Sequence, residues 1–147
     1  MRLNVIVASK GAVSAERTGA CLAEAALSAG YRVRTVLLSG KAAGGGYALH
    51  IRVTDRPVRI SPVIPEGHAD LILADSPPEA LRQLSYLKKE GRAAVVPDAR
   101  EKGKEMPPNR PEPCLRFLRR RVKGLLLLEK MPEDRRECRA LALRLET

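Results

Sequence analysis

Aromatic side chains are scarce in this chain: of 147 residues, tryptophan is absent, phenylalanine occurs once and tyrosine three times. A surface that stacks the bases of single-stranded nucleic acid needs several exposed rings, so that function is disfavoured from the outset. Cysteine is equally sparse. Cys21, Cys114 and Cys138 are odd in number and widely spaced, which gives neither a disulfide framework nor a CxxC metal site, so no iron-sulfur cluster is expected on this chain alone. No stretch approaches the roughly 18 to 20 consecutive apolar residues that span a bilayer. The opening Met1-Arg2-Leu3-Asn4-Val5-Ile6-Val7 lacks the zones of a secretory leader and reads directly as a strand. A soluble, cytoplasmic protein without membrane contact is expected. Two asparagines and one glutamine stand against 27 Lys and Arg, a balance that leans toward a heat-adapted source.

Positive charge is what the chain has in excess. The net charge is +10, with 13 basic and 9 acidic groups in residues 1–98 and 14 and 8 in residues 99–147. Such a field attracts nucleic acid, an anionic cofactor or an acidic partner subunit, and its sign does not choose among them.

Leu3 to Ala8 is an uninterrupted apolar run that suits a strand buried on both faces. From Val13 to Ala29, Ala15, Gly19, Ala23 and Ala26 recur at helical spacing, a face small enough to pack close to a sheet, and Gly30 ends the helix. Arg32 to Leu38 reads as a second strand, parallel to the first through a right-handed crossover. Tyr47 to Val53 and Val58 to Ser61 flank a polar four-residue connection and read as an antiparallel hairpin. Asp70 to Ala74 is a short buried strand, Pro77-Pro78 starts a helix through Leu87, and Arg92 to Val96 is another strand. The fold class is therefore α/β, a three-layer Rossmann-like domain with a mainly parallel sheet extended by a β-hairpin. Residues 1–97 form that domain and 98–113, holding four of eleven prolines, a linker or wrapping loop. Residues 114–147 form a basic helical region packed on the same domain.

Few residues suggest chemistry. Gly40 to Gly46, with Lys41, Gly44 and Gly45, is a glycine loop that either presents N–H groups to a phosphate or a partner, or simply connects two strands. Lys10-Gly11 stands at the mouth of the first helix, where an anion can bind. His50 lies in an alternating strand without a nearby Cys or second His, so metal binding is not expected. Arg119, Arg120 and Arg121, with Arg116 and Lys123, form a basic patch that suits a solvated or partner-facing helix better than nucleic acid. Asp70 and Asp75 bracket one strand, and Ser9, Ser14 and Ser61 lack a His and acid in nucleophile-elbow order. No catalytic set stands out.

Several motifs come in a fixed order: Gly44-Gly45, His50-Ile51-Arg52, Ser61-Pro62 followed by Glu66-Gly67, then Ala69-Asp70-Leu71-Ile72-Leu73, Glu79-Ala80-Leu81 and Tyr86-Leu87-Lys88-Lys89-Glu90-Gly91. In this order they resemble the gamma domain of 2-oxoacid:ferredoxin oxidoreductases, most closely the small subunit of the indolepyruvate and the pyruvate or 2-oxoglutarate enzymes. The resemblance covers roughly residues 1–97. It departs from the family at Ser9-Lys10-Gly11-Ala12-Val13-Ser14, where only Gly11 remains of a glycine-rich turn, and at Ala43, where the family usually has arginine. It implies a non-catalytic accessory subunit, supporting CoA-dependent oxidative decarboxylation of a 2-oxoacid by larger thiamine-binding subunits and a ferredoxin-type subunit. Thiamine diphosphate, iron-sulfur clusters and CoA then belong to the complex, with none bound by this chain alone. Association between copies of the chain remains open. So does a second reading, a stand-alone small-molecule or partner-binding protein that kept the fold.

Overall fold

The apolar opening run becomes the centre of a sheet in the computed structural model, which describes residues 2–40, 44–57, 59–97 and 113–146. β1 (Arg2–Ser9) is buried from Asn4 onward because it has a strand on each side and helices on both faces. The other strands are β2 (Arg32–Ser39), β3 (Tyr47–Thr54), β4 (Ala69–Ala74), β5 (Leu87–Val95) and β6 (Gly124–Leu127), in the order β2-β3-β1-β4-β5-β6. β1, β4, β5 and β6 run parallel, whereas β3 is antiparallel to both β1 and β2.

α1 (Ala12–Ser28) and α4 (Arg135–Glu146) cover one face. Their side of the core holds Val5, Val7, Ala15, Leu49, Ile51, Leu73 and Leu141. α2 (Pro77–Arg82), a 3-10 turn at Leu84–Tyr86 and α3 (Pro113–Arg121) cover the other face, over Ile6, Ala48, Ile64, Ile72, Val95 and Leu118. The small face of α1 works as its spacing suggests: a Cβ on Gly19 would lie 2.0 Å from Leu49 Cδ2, so the helix sits almost on β3. Gly30, at φ +88°, closes the helix with a Schellman pair, Tyr31 N–H to Ala26 O at 3.1 Å and Gly30 N–H to Leu27 O at 3.0 Å. No helix among the described residues is long and apolar enough to cross a membrane.

Three expectations need correction. β2 runs in the same direction as β1 but is not its neighbour, because β3 lies between them. The chain turns back within the short glycine segment, and β3 pairs along its whole length on both edges, from Arg2↔Thr54 and Arg32↔Thr54 to Ser9↔Tyr47 and Ser39↔Tyr47. The antiparallel hairpin is accordingly β2–β3, not Tyr47–Val53 with Val58–Ser61. Residues 59–61 form no strand, and Val58 lies outside the described residues. The backbone after them is instead satisfied by side chains of β3, as described below, so it crosses the sheet face and does not extend an edge. Finally, the helix after Pro77 stops at Arg82, and Leu87 already belongs to β5, which bulges before Arg92.

A filled crevice at the carboxyl end of the sheet

In an open α/β sheet, ligands bind outside the carboxyl ends of the strands where the connections diverge to opposite faces. Here that point lies between β1, which leads into α1 on one face, and β4, which leads into α2 on the other. The crevice is filled by the chain itself. Ser9 Oγ donates to Asp75 Oδ2 at 2.6 Å, Gly11 N–H donates to Ser9 Oγ at 3.2 Å, and Lys10 N–H points to the same carboxylate at 3.4 Å. The positive end of α1, which elsewhere receives a phosphate, is thus met by a resident carboxylate. Gly11 has φ −116°, and a Cβ there would meet nothing within 4 Å, so its backbone does not require glycine.

The glycine loop lies against this turn. Gly40 N–H donates to Gly46 O at 2.7 Å and Gly45 N–H to Gly40 O at 2.8 Å, which closes the loop, while Gly44 adopts φ +77°. A Cβ on Gly46 would fall 2.2 Å from Ser9 O and 2.7 Å from Lys10 Cα, so only glycine permits this approach. α2 holds the loop from the other side. The Glu79 carboxylate, 4% exposed, accepts Gly46 N–H at 3.1 and 3.2 Å, and Arg82 donates through Nη2 to Gly44 O at 3.3 Å. Arg82 Nε stands 3.7 Å from Glu79 Oε1. A cleft of about 440 Å³ opens beside them, lined by Leu38, Gly40, Gly45, Glu79, Arg82 and Tyr86 among others.

Lys10, Gly11, Gly40, Gly44, Gly45 and Gly46 therefore come together, and Lys41 lies outside the described residues. His50 serves a different purpose. It is fully buried on β3, edge-on to Tyr86 with ring centroids 5.1 Å apart, and its Nδ1 accepts Ile64 N–H at 3.0 Å. Burial lowers its pKa below the ordinary 6.5. Two residues along, Arg52 donates to Asn4 Oδ1 at 3.1 Å and to the carbonyls of Ser61 and Val63 at 2.9 and 3.5 Å. Asn4 continues the network, donating through Nδ2 to His68 O at 2.9 Å and through its backbone N–H to Asp70 Oδ2 at 2.8 Å, and Asp70 is paired with Lys88. The His-x-Arg strand and the Ser-Pro segment after it are one device: two buried polar side chains clamp a loop backbone across the sheet.

Arg119, Arg120 and Arg121 lie elsewhere. α3 buries Leu118 and leaves these arginines and Arg116 exposed, with Arg121 5.1 Å over the half-exposed Phe117 ring. The helix ends two residues before β6 begins, so the three arginines sit toward the amino ends of the parallel strands, opposite the glycine loop. Among the described residues, no group of three or more His, Cys, Asp or Glu side chains is arranged to hold a metal ion, so an iron-sulfur cluster does not fit the residues described. Sequence reasoning missed Asp75, Glu79 and Arg82 as parts of the site. The available signal was an acid in the first turn of a proline-started helix with an arginine three residues on.

These features define an open α/β domain with an antiparallel β2–β3 extension and a switch point closed by its own side chains. Residues 4–146 match the family described as pyruvate ferredoxin/flavodoxin oxidoreductase, and the chain belongs to that family. The match runs on through α3, β6 and α4, well past residue 97, where the sequence motifs had faded. Among curated proteins, the chain is 43% identical over 90 residues to the indolepyruvate oxidoreductase subunit IorB of Archaeoglobus fulgidus, an alignment spanning 60% of this chain and 43% of that protein. It is 36% identical over 89 residues to the Pyrococcus horikoshii subunit of the same name, with the same shares covered. The aligned region thus spans less than half of either relative. Among solved structures, the fold resembles pyruvate oxidoreductase subunit PORC of Thermotoga maritima, with a TM-score of 0.52 at 18% identity over 87% of this chain and 62% of that one. It also resembles the 2-oxoglutarate:ferredoxin oxidoreductase of Magnetococcus marinus, with a TM-score of 0.53 at 17% identity over 86% of this chain and 19% of that one.

Proposed function

We propose that this chain is a non-catalytic, gamma-type component of a 2-oxoacid:ferredoxin oxidoreductase, supporting CoA-dependent oxidative decarboxylation carried out on larger thiamine-binding subunits. The observation that carries the reading is the family match over residues 4–146 combined with a switch-point crevice closed by Ser9 and Asp75. A domain of this family whose own ligand crevice is filled contributes surface, not a reaction centre. Its partners are the thiamine-binding subunit and a ferredoxin-type subunit, and thiamine diphosphate, clusters and CoA reside with the assembly. The glycine loop, braced by Glu79 and Arg82 and lying against the Ser9–Lys10 turn, is the surface offered to the thiamine-binding subunit. Arg119, Arg120 and Arg121 form a second contact, at the other end of the strands. The curated relatives support indolepyruvate as the substrate class.

Co-expression with a thiamine-binding 2-oxoacid:ferredoxin oxidoreductase subunit from the same source, followed by size-exclusion chromatography, tests the reading. A stable complex is expected, weakened by Gly45→Val or by reversing the charges at Arg119 to Arg121 while circular dichroism of the isolated variants is unchanged. Failure of any larger subunit to co-elute, or reduction of a dye by the isolated chain with a 2-oxoacid, would overturn it.

A further inference from the structure

A cleft of about 510 Å³ lies at the start of β2, the end of that strand remote from the glycine loop. Leu27 and Tyr31, from the turn between α1 and β2, line it together with Pro57, Arg59 and Ile60, from the segment that leaves β3. Arg32 and Arg34 enter it from β2 itself. Three arginines from two separate stretches of chain thus meet in one cleft, and none of the described residues that line it is acidic. All three are exposed, and no ion pair among the described residues involves any of them.

The strand register adds to this positive charge. Arg34 stands directly opposite Arg52 across β2 and β3, and Arg32 stands opposite Thr54, whose partner on β1 is Arg2. Residues paired in this way share a face, so Arg2, Arg32, Arg34 and Arg52 belong to one side of the sheet. Arg52 is engaged by Asn4 Oδ1 and by the carbonyls of Ser61 and Val63, none of which carries charge. Like charges set opposite each other on a sheet are destabilising. An arrangement that costs the free chain stability while turning three guanidinium groups toward a cleft fits a site whose countercharge is carried by a ligand.

We propose that this cleft binds a small organic phosphate, the phosphate held by Arg32, Arg34 and Arg59 and the apolar body set against Tyr31, Val33 and Ile60. This inference is independent of the functional reading above. Guanidinium forks pair with phosphate oxygens two at a time, which an ammonium group cannot do. One fork satisfies a carboxylate, whereas three match the several oxygens and the charge of nearly −2 on a phosphate monoester. Thr54 also lines the cleft, and its Oγ1 accepts the Arg56 N–H at 3.1 Å, which leaves the hydroxyl proton for a phosphate oxygen. The volume lies in the range of small-molecule sites, about 300 to 1,000 Å³, and is more than a bare anion fills. The apolar side chains that line the rest give an organic group its contact.

The test uses the full-length chain with phenyl phosphate, inorganic phosphate and a glutamate-rich peptide as probes, followed by thermal melts and by amide NMR of the labelled protein. Phenyl phosphate should raise the melting midpoint in a saturable way, because it binds the folded chain alone. Its affinity should exceed that of inorganic phosphate several-fold, and the shifted amides should cluster at Tyr31 to Arg34, Thr54, Arg59 and Ile60. Arg34→Gln and Arg59→Gln should each weaken phenyl phosphate by about tenfold or more. Arg34→Gln should leave the midpoint of the free protein unchanged or higher, since it removes a like charge facing Arg52, whereas a merely structural arginine would lower it. The wild-type titration decides the matter even if a variant fails to fold. No saturable shift, equal affinity for inorganic phosphate, amide changes centred on Arg116 to Arg121, or a response to the peptide alone would each overturn the proposal.

Discussion

Lowering the pH should loosen this domain through His50 before general acid effects dominate. The imidazole is fully buried and accepts the Ile64 N–H through Nδ1, so its neutral form is built into the fold, and burial depresses its pKa below 6.5. The sign follows from proton counting. Above about pH 6.5 the side chain is neutral in both the folded and the unfolded chain, and its contribution is fully present. Below that value the unfolded chain takes up the proton while the folded chain resists it, so stability falls as pH falls toward the folded pKa. One pH unit below 6.5, with the folded state still neutral, the loss from this one group approaches about 1.4 kcal/mol. For a chain of this size that corresponds to a melting shift of about 4 °C. The reference is His50→Asn, whose amide oxygen lies near the Nδ1 position and keeps an acceptor for Ile64 without titrating. That variant starts less stable because it loses the ring packed on Tyr86, so the slopes are compared, not the intercepts. Thermal melts of both proteins from about pH 7.5 to 5.5 should diverge, the wild type falling more steeply. The protection factor of the Ile64 amide, which removes the intrinsic pH dependence of exchange, should fall in the wild type over the same range. Parallel melting profiles would show that His50 is not a neutral clamp and would refute the reasoning.

The other expectations concern the glycine loop and its neighbours. Gly46→Ala should cost about 2 kcal/mol or more by urea unfolding, because its Cβ strikes the backbone of Ser9 and Lys10, whereas Gly45→Ala meets the Arg82 side chain and should cost less than about 1 kcal/mol. Glu79→Gln should lower stability by about 1 to 2 kcal/mol at neutral pH, since a carboxylate bond to Gly46 N–H becomes a neutral one, and an unchanged urea midpoint would sink that account. Arg52→Met should cost about 3 kcal/mol by leaving Asn4 Oδ1 and the Ser61 carbonyl without their donor, and Arg52→Lys should recover little of it, because one ammonium cannot reproduce the guanidinium fork.

Local signals made some elements readable in the sequence. The apolar run of β1, the small-residue face of α1 with its Gly30 stop, and β4 are all specified within a few residues of themselves, and each stands close to where the pattern puts it. Strand adjacency was not readable in this way. Alternation says which residues share a face but not which strand lies alongside, so Tyr47 to Val53 read as half of a hairpin with Val58 to Ser61. Its real partners are β1 and β2. The site shows the same limit more sharply. The loop glycines were visible as composition, but what fixes them comes from far along the chain: Asp75 reaches Ser9, and Glu79 reaches Gly46.

The residues that carry the family likeness are mostly held in place by the fold's own bonding. His50 and Arg52 spend donors and acceptors on the 61–64 backbone, and Gly46 is required by a backbone contact. His50 keeps Nε2 without a partner, but that atom is buried, and replacing any of these residues damages the fold before it touches a reaction. Activity lost in variants of His50, Arg52 or Gly46 would therefore say little about chemistry. The exposed arginines of α3 bear the opposite signature: their backbone is ordinary helix, Leu118 alone of that helix is buried, and their side chains face outward. Substitutions there leave the core untouched, so any effect they have on an assembled enzyme reports on contact with another chain. Fold-preserving changes at Arg119 to Arg121 are thus the ones that separate a docking surface from a structural residue, and motif residues are the wrong place to look for it.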